Sequence, residues 1–403
     1  MTVPSYFPAL PAALNILLAI GLILIGGMAG TSLLMRWMPV PAITGYILAG
    51  LLIGPAGLNL INASALNEIG LLIDFALGLI IFELGRRLDY KWLLTERSLL
   101  VTTAVVSLSI FFGLFSLLVL LGSSKLVAGL AAAVGMATSP AVVLNVVRET
   151  RAEGQVSERM LNMVAIGNSI AFIIFTMCLS AQHMEYSAGW ATILLHPPYL
   201  ICGSIGLGWL GAQLLIYLSR WLGRDRLGQH IVIFGLIATT VGLAEMFKLS
   251  ALMALLVLGF ISRSRDHRHA IVEPDFSQIS SLLYVILFVY TGARLEPGHL
   301  QEVWFVALAF IIVRCLFAIG LCSAFAPYNG LSLHKGALLG LGLLPMSGVA
   351  VILGQRVSGI YPEFGPELSA LMLSVVAILE ILGPIFTRYA LMASGEAQPG
   401  VKS

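Results

Sequence analysis

The sequence predicts an all-α protein that crosses a membrane many times. Of its 403 residues, 59% are hydrophobic and only 10% are charged, whereas soluble domains carry about 25% charged residues. Apolar stretches long enough to cross a bilayer recur along the whole chain, and two of them contain proline and hydroxyl-bearing residues in their middle. Interrupted membrane helices at corresponding places in two halves of a chain are typical of a transporter's binding site.

About thirteen apolar segments can be distinguished, with boundaries accurate to a few residues. They cover approximately residues 12–35, 40–58, 66–86, 98–121, 126–147, 160–181, 191–219, 230–247, 249–262, 278–293, 301–325, 335–355 and 367–391. With the N-terminus outside, most of the 22 lysines and arginines fall in cytoplasmic loops and in the C-terminal tail. The exceptions are Lys125, Lys248, Arg294, Arg356 and, inside a segment, Arg314. The positive-inside rule therefore predicts an N-out, C-in topology.

Composition also excludes several classes of protein. A formal net charge of +2 argues against a nucleic-acid partner. The N-terminal apolar run has no basic residue before it and is too long for a cleavable signal. The four cysteines lie within apolar segments at spacings that do not suggest disulfides or a metal site. We therefore expect one membrane domain over residues 1–403, with no soluble domain, no enzyme activity, no cofactor and no metal other than a transported cation.

The two interrupted segments hold the predicted binding site. The first, at residues 126–147, contains Thr138, Ser139 and Pro140. The second, at residues 335–353, contains Pro345, Ser347 and Gly348. Proline lacks an N–H and clashes with the preceding turn, so both helices should break or kink there. A break within the bilayer requires protein or a water-lined cavity around it. The alternative is a pair of ordinary proline-kinked helices.

Several motifs follow one another in a characteristic order. They are Pro41–Gly50 continuing to Gly54-Pro55, Glu68–Leu72, Ala137–Val143, Leu249–Leu252 with Leu258–Phe260, and Leu287–Ala293. Together they resemble the monovalent cation:proton antiporter superfamily, the sodium/proton exchanger membrane domain. The resemblance covers nearly the whole chain. It implies a thirteen-helix fold of two inverted repeats with two crossed discontinuous helices.

The resemblance also implies a division of the membrane domain and a setting for it. Core helices, roughly residues 98–181 and 301–391, would move against scaffold helices, roughly residues 12–86 and 191–293. The scaffold would form a homodimer in the plasma (inner) membrane. The bilayer, a monovalent cation and the proton are therefore the expected partners.

The chain departs from the family pattern at the ion site. In the family the sixth helix carries an Asn-Asp or Asp-Asp pair, whereas this chain has Asn168 followed by Ser169. A serine hydroxyl cannot release a proton near neutral pH, although its oxygen can bind a dehydrated sodium ion. The predicted ion ligands are therefore Thr138, Ser139, Asn168 and Ser169, and the proton must be carried by another group.

Three charged residues lie near the middle of apolar segments: Asp74, Glu380 and Arg314. A charge at the bilayer centre costs about 2.5–3.5 kcal/mol on insertion scales, so such residues usually face the protein interior. Asp74 is the first candidate for a relocated proton-carrying carboxylate and a further ion ligand, because by resemblance its helix borders the core. Glu380 is the second. Each could instead form a structural pair, and Arg314 is expected to neutralise one of them.

Glu83 is less deep in the membrane. Arg86 and Arg87 follow it at three and four residues, where side chains meet on a helix surface. This spacing favours an ion pair within one helix.

These observations predict a secondary transporter that exchanges Na⁺ or K⁺ for protons. Two alternatives remain open because the family aspartate is absent. One is a divergent transporter without proton coupling that moves another small ion or solute, and the other is a non-transporting membrane sensor that keeps the fold.

Overall fold

The computed structural model describes residues 16–38, 40–88, 96–182, 190–223, 225–266, 271, 277–295, 300–346 and 365–398. All regular structure in these ranges is helical. The helices are α1 (Ile16–Trp37), α2 (Ala42–Ile53), α3 (Ala63–Arg87), α4 (Arg97–Leu120), α5 (Lys125–Gly135), α6 (Pro140–Glu149), α7 (Gln155–Gln182), α8 (Trp190–Leu222), α9 (Arg226–Met246), α10 (Ala251–Arg265), α11 (Ser277–Ala293), α12 (Leu300–Ala324), α13 (Leu333–Gly342) and α14 (Gly365–Ala393).

The helices agree with the apolar pattern of the sequence. Each predicted segment contains a described helix, and the segment at 126–147 is divided into α5 and α6. Within the described ranges, nine stretches are long and apolar enough to cross a membrane, and α5 and α6 form one of them together. The all-helical, polytopic class is therefore confirmed.

The helices pack in two groups. In the first group α10 packs against α3 and α8, α11 packs against α2, and α1 packs against α2. In the second group α12 packs against α4, α13 and α14, and α5 packs against α4 and α7. The first group comprises α1–α3 and α8–α11, and the second comprises α4–α7 and α12–α14.

Glycines bring helix backbones together inside each group. A Cβ added to Gly85 of α3 would lie 2.4 Å from the carbonyl oxygen of Leu256 in α10. One added to Gly340 of α13 would lie 2.4 Å from the carbonyl oxygen of Ala318 in α12. Among the glycines that the structure describes, every approach closer than 3.0 Å joins parts of the same group. Replacing these glycines with any residue that has a Cβ would therefore push the helices of a group apart.

Long polar side chains connect the two groups at one end of α6. Arg148 of α6 forms an ion pair with Glu83 of α3. Its neighbour Glu149 accepts hydrogen bonds from the Ala42 amide at the start of α2, at 3.1 and 3.2 Å. Sequence spacing predicted an ion pair for Glu83 within α3, but the structure gives it a partner on another helix, because α6 packs against α3 there.

The residues after α14 hold the start of α7. The Glu396 carboxylate accepts hydrogen bonds from the Val156 and Ser157 amides, each at 2.8 Å. These are amides of the first helical turn, which have no partner inside the helix. A carboxylate at this position also stabilises the positive end of the helix dipole. Glu396 thus fixes the helix that carries Asn168.

Candidate functional site

The first interruption lies between α5 and α6. α5 ends at Gly135, and α6 begins at Pro140 after four residues without helical structure. Ser139 is the N-cap of α6, and its Oγ accepts a hydrogen bond from the Val142 amide at 3.3 Å. Pro140 suits the first helical position because its missing N–H would have had no helical partner there. Pro140 therefore begins a second half-helix instead of bending a continuous one.

The second predicted interruption follows α13. This helix is capped at its start by the Ser332 hydroxyl, which accepts from the Lys335 amide at 3.2 Å, and it ends at Gly342. Leu343 to Met346 continue without helical structure, and Pro345 lies among them. The predicted break residues Ser347 and Gly348 are outside the described residues. The described part shows the end of a ten-residue helix, whose last carbonyl groups need partners from elsewhere.

The two interruptions contact each other directly. The Ser139 amide donates to the carbonyl oxygen of Pro345 at 2.8 Å. The Thr138 hydroxyl donates to the carbonyl oxygen of Leu343, also at 2.8 Å. Ser139 is fully buried. We call these residues, with the side chains bonded to them, the polar junction. It brings together two parts of the sequence about two hundred residues apart.

Arg314 of α12 lies inside the polar junction and is 1% exposed. Its guanidinium donates to the carbonyl oxygens of Gly135, of Ala137 at 2.9 Å and of Leu343 at 3.1 Å. A further contact, at 3.4 Å, reaches the Thr138 hydroxyl. The acceptors belong to the carboxyl ends of α5 and α13, where the helix dipoles place partial negative charge. Arg314 thus connects the two breaks through backbone carbonyls, a different role from the predicted neutralisation of Asp74 or Glu380.

Asn168 and Ser169 lie side by side on α7 but face different partners. The Asn168 amide nitrogen donates to the carbonyl oxygen of Thr138 at 2.8 Å, and the residue is 5% exposed. The Ser169 hydroxyl donates to the Ala165 carbonyl of its own helix at 3.0 Å. Asn168 is therefore part of the polar junction. Ser169 is half-buried, and its hydroxyl proton is used within its own helix.

Glu380 of α14 is 1% exposed. Gly383 and Thr387 follow at three and seven residues, so all three share one helix face. A Cβ added to Gly383 would lie 2.8 Å from Pro345 Cα, and the Thr387 hydroxyl donates to the carbonyl oxygen of Gly342 at 3.2 Å. This face of α14 is therefore packed against the second interruption. Glu380 itself is one helical turn before Gly383, the residue in contact with Pro345.

Asp74 has a different setting. It lies on α3, in the first helix group, and its side chain is exposed. The helices that form the polar junction belong to the second group. The structure thus separates the two predicted proton carriers, with Glu380 on the α14 face that packs against Pro345 and Asp74 on the other group of helices.

Sequence reasoning missed two hydroxyl residues that lie against α7 next to Asn168. Thr103 and Ser107 of α4 are buried opposite Gly167, whose added Cβ would lie 3.4 Å from Ser107 Oγ. The spacing of four residues places both hydroxyls on one face of α4. Two hydroxyl residues four positions apart in an apolar segment could have indicated a buried polar face on α4.

A helix that stops and restarts at residues 136–139, and a second helix that ends against this break among buried polar side chains, are typical of secondary transporters. The chain belongs to the family described as sodium/hydrogen exchanger, transmembrane, whose family model matches residues 20–392. This confirms the resemblance inferred from the ordered motifs. The protein is therefore a membrane antiporter-family transporter and not an enzyme.

Two characterised relatives are similar over most of the chain. The Na(+)/H(+)-K(+) antiporter GerN of Bacillus cereus is 23% identical over 375 residues, which cover 90% of this chain and 93% of GerN. The glutathione-regulated potassium-efflux system protein KefC of Escherichia coli is 24% identical over 382 residues, which cover 89% of this chain. The match spans only 58% of the length of KefC.

The fold is similar to that of a solved antiporter. A structure of the sodium proton antiporter MjNhaP1 from Methanocaldococcus jannaschii at pH 8 superimposes with a TM-score of 0.68 at 18% identity, covering 94% of this chain and 95% of that one. A second MjNhaP1 structure, from electron microscopy, gives a TM-score of 0.73 at 17% identity, covering 96% and 100%. At these identities the likeness supports the fold alone.

Proposed function

We propose that the protein exchanges a monovalent cation, Na⁺ or K⁺, for protons at the polar junction. The observation that carries the proposal is the direct contact between the two interruptions, at the Ser139 amide and the Pro345 carbonyl. Family membership supports exchange in general. The name of one relative includes both cations.

The cation site would use oxygen atoms beside the break. Asn168 uses its amide nitrogen on Thr138, so its Oδ1 is the ligand atom that remains. The hydroxyl oxygens of Thr138, Ser139 and Ser169 can add neutral ligands. Arg314 already neutralises the negative helix ends of the junction. A cation would then be held by neutral oxygens and would need one carboxylate for charge balance.

Glu380 is our proposed carrier of the proton, and Asp74 is the second candidate. Glu380 is buried on the helix face packed against the second interruption. When ionised it would supply the negative charge that favours cation binding, and when protonated it would release the cation. Ionisable residues inside the membrane usually face the protein interior or a water-filled cavity, where they mark ion pathways and proton relays.

The two helix groups would be the moving parts. We propose that α4–α7 and α12–α14 form the core, corresponding to the predicted residues 98–181 and 301–391. The helices α1–α3 and α8–α11 would form the scaffold, corresponding to residues 12–86 and 191–293. Two kinds of contact support this division. Helices within a group approach each other closely at glycines, whereas the ion pair between the groups is made by long side chains. The proposal also includes the features that the family resemblance implies. These are two inverted repeats, crossed half-helices, an N-out topology, a homodimer and a location in the inner membrane.

The serine at position 169 is also consistent with a second function, transport without proton coupling. The family aspartate is absent at this position, and the serine hydroxyl is bonded within its own helix. A transporter that moves a small ion or solute without proton coupling would be consistent with these facts.

Proteoliposomes with an entrapped pH-sensitive dye test the proposal. Addition of Na⁺ or K⁺ outside should release protons from the lumen and raise its pH, with no response to choline. Uptake of labelled cation without a pH change would favour the uncoupled transporter. An absence of both would contradict transport of these cations.

Substitution of Ser169 should change affinity more than turnover. Ser169→Ala removes one neutral ligand, worth about 0.5–1.5 kcal/mol, so we expect the KM for the cation to rise by roughly two- to tenfold with kcat retained. Ser169→Asp adds a carboxylate beside Asn168 and should lower the KM. Both are measured with the dye assay at several cation concentrations. Loss of exchange in Ser169→Ala at saturating cation would contradict the minor role assigned to this hydroxyl.

A further inference from the structure

We propose that Arg148 and Glu149, at the end of α6, form a latch that closes one side of the transport path and must open in each cycle. The latch consists of the Glu83–Arg148 ion pair and the contact of Glu149 with the Ala42 amide. The inference rests on the proposed movement of two helix groups. It goes beyond that proposal by naming the contacts that movement has to break.

The latch joins the interrupted helix of the core directly to two scaffold helices. Arg148 reaches Glu83 on α3, and Glu149 receives two hydrogen bonds from the first amide of α2. Glu149 occupies the carboxyl end of α6, where a negative charge is unfavourable. Its contact with the amino end of α2, which has no side-chain cap of its own, offsets this cost. The scaffold thus compensates a charge that the core helix does not stabilise by itself.

Arg388 of α14 gives the latch a connection within the core. Its guanidinium lies 3.7 Å from Glu149 Oε1. When Glu149 leaves Ala42, this arginine remains close to it, since α14 and α6 belong to the same group. The carboxylate would therefore not be left without a counter-charge in the open state.

The contacts of the latch differ in kind from those that hold each group together. Inside each group the helices meet through glycines at backbone distance, so separation would expose backbone and close-packed surface. At the latch, the charged ends of the Arg148 and Glu149 side chains reach across to Glu83 and to the Ala42 amide. The side chain of Arg148 is 27% exposed and that of Glu83 is 14% exposed. Separation of the groups would have to admit water to both charges, because a buried charge without a partner is costly.

A cavity beside the latch supplies that water. It has a volume of about 930 Å³ and opens to the surface between α3 and the α6–α7 turn. Arg87, Val147, Arg148 and Arg151 are among the residues that line it. The positive-inside rule places this end of α6 on the cytoplasmic side. The latch would therefore close the scaffold–core boundary at the inner end of a cytoplasmic vestibule.

A reversible cross-link tests whether the latch opens. In a variant whose four cysteines are replaced and which retains exchange, Glu83→Cys and Arg148→Cys are combined and joined by a reducible bifunctional thiol reagent. We expect cross-linking to lower the exchange rate at least tenfold and reduction to restore it. A cross-linked protein that transports at its uncross-linked rate would show that the contact stays closed throughout the cycle, which overturns the proposal.

The matched control is a cross-link within the scaffold. Tyr199 of α8 donates to the carbonyl oxygen of Phe247, which follows α9, at 2.8 Å, and both side chains are exposed. Joining Tyr199→Cys to Phe247→Cys with the same reagent should leave exchange within about twofold of the uncross-linked rate. Equal inhibition by both cross-links would mean that the reagent, and not the latch, stops transport.

Hydrogen exchange separates failure of the latch from failure of the proposed function. In the full-length protein, Glu149→Gln and Arg148→Gln should each increase amide exchange of the peptide containing Ala42 by at least threefold, whether or not the protein exchanges cations. The peptide around Gly340, inside the core, should not change. If the latch variants leave the Ala42 peptide unchanged, the latch is wrong even when exchange of Na⁺ for protons is demonstrated.

Discussion

Glu380→Gln should abolish proton-coupled exchange while leaving the protein folded. Glutamine has nearly the shape of a protonated glutamate, but it cannot bind or release a proton. Because the side chain is buried on the face of α14 packed against Pro345, the substitution removes the proposed proton carrier without changing the size of the residue. We expect the cation-driven pH change in proteoliposomes to fall at least tenfold, with an apparent melting temperature close to that of the native protein.

Asp74→Asn is the matched comparison. The same chemical change at an exposed position of α3 should leave at least half of the exchange rate. Glu380→Asp, which retains a titratable group on a shorter side chain, should recover part of the activity lost in Glu380→Gln. The reverse pattern, with full activity in Glu380→Gln and none in Asp74→Asn, would assign proton transport to Asp74.

The fold could be predicted to a large extent because its signals are local. A membrane helix needs a continuous apolar stretch, and each such stretch in the sequence contains a described helix. The interruption at Pro140 was also visible, because proline and the capping serine act on their own segment. Both features depend on neighbouring residues alone.

Contacts between distant segments could not be predicted from one sequence. Spacing along a helix suggested Arg86 and Arg87 as partners of Glu83, whereas the structure pairs Glu83 with Arg148 on α6. The same limit explains Arg314. Its charge and depth were evident, but its acceptors are backbone carbonyls, which every residue possesses and no sequence pattern marks.

The preference for Glu380 over Asp74 shows what information was missing. Both acids lie near the middle of apolar segments, so insertion cost does not distinguish them. The distinction comes from the residues that share a face with Glu380. Gly383 permits the close contact with Pro345, and Thr387 bonds to the end of α13. A small residue and a hydroxyl at three and seven positions after a buried acid were a readable signal of a packed polar face.

Arg314→Met should have the largest combined effect on stability and transport. Methionine fills much of the same volume but donates no hydrogen bond, so the carbonyl groups of Gly135 and Ala137 lose the donor that the guanidinium supplies. At about 1–3 kcal/mol for each buried group left unsatisfied, we expect an apparent melting temperature lower by roughly 5 °C or more and exchange at background level.

Arg314→Lys and Leu316→Ala show which property of the arginine matters. Lysine keeps the positive charge near the two negative helix ends but cannot reach three carbonyls with a planar fork. It should therefore recover more stability than Arg314→Met, while the cation KM remains raised because Thr138 and Asn168 are less firmly placed. Leu316 is 67% exposed on the same helix, so Leu316→Ala should change neither property. If Arg314→Met folds and transports normally, the junction is held together without its arginine. The two interruptions would then be positioned by their own backbone contact and by α14.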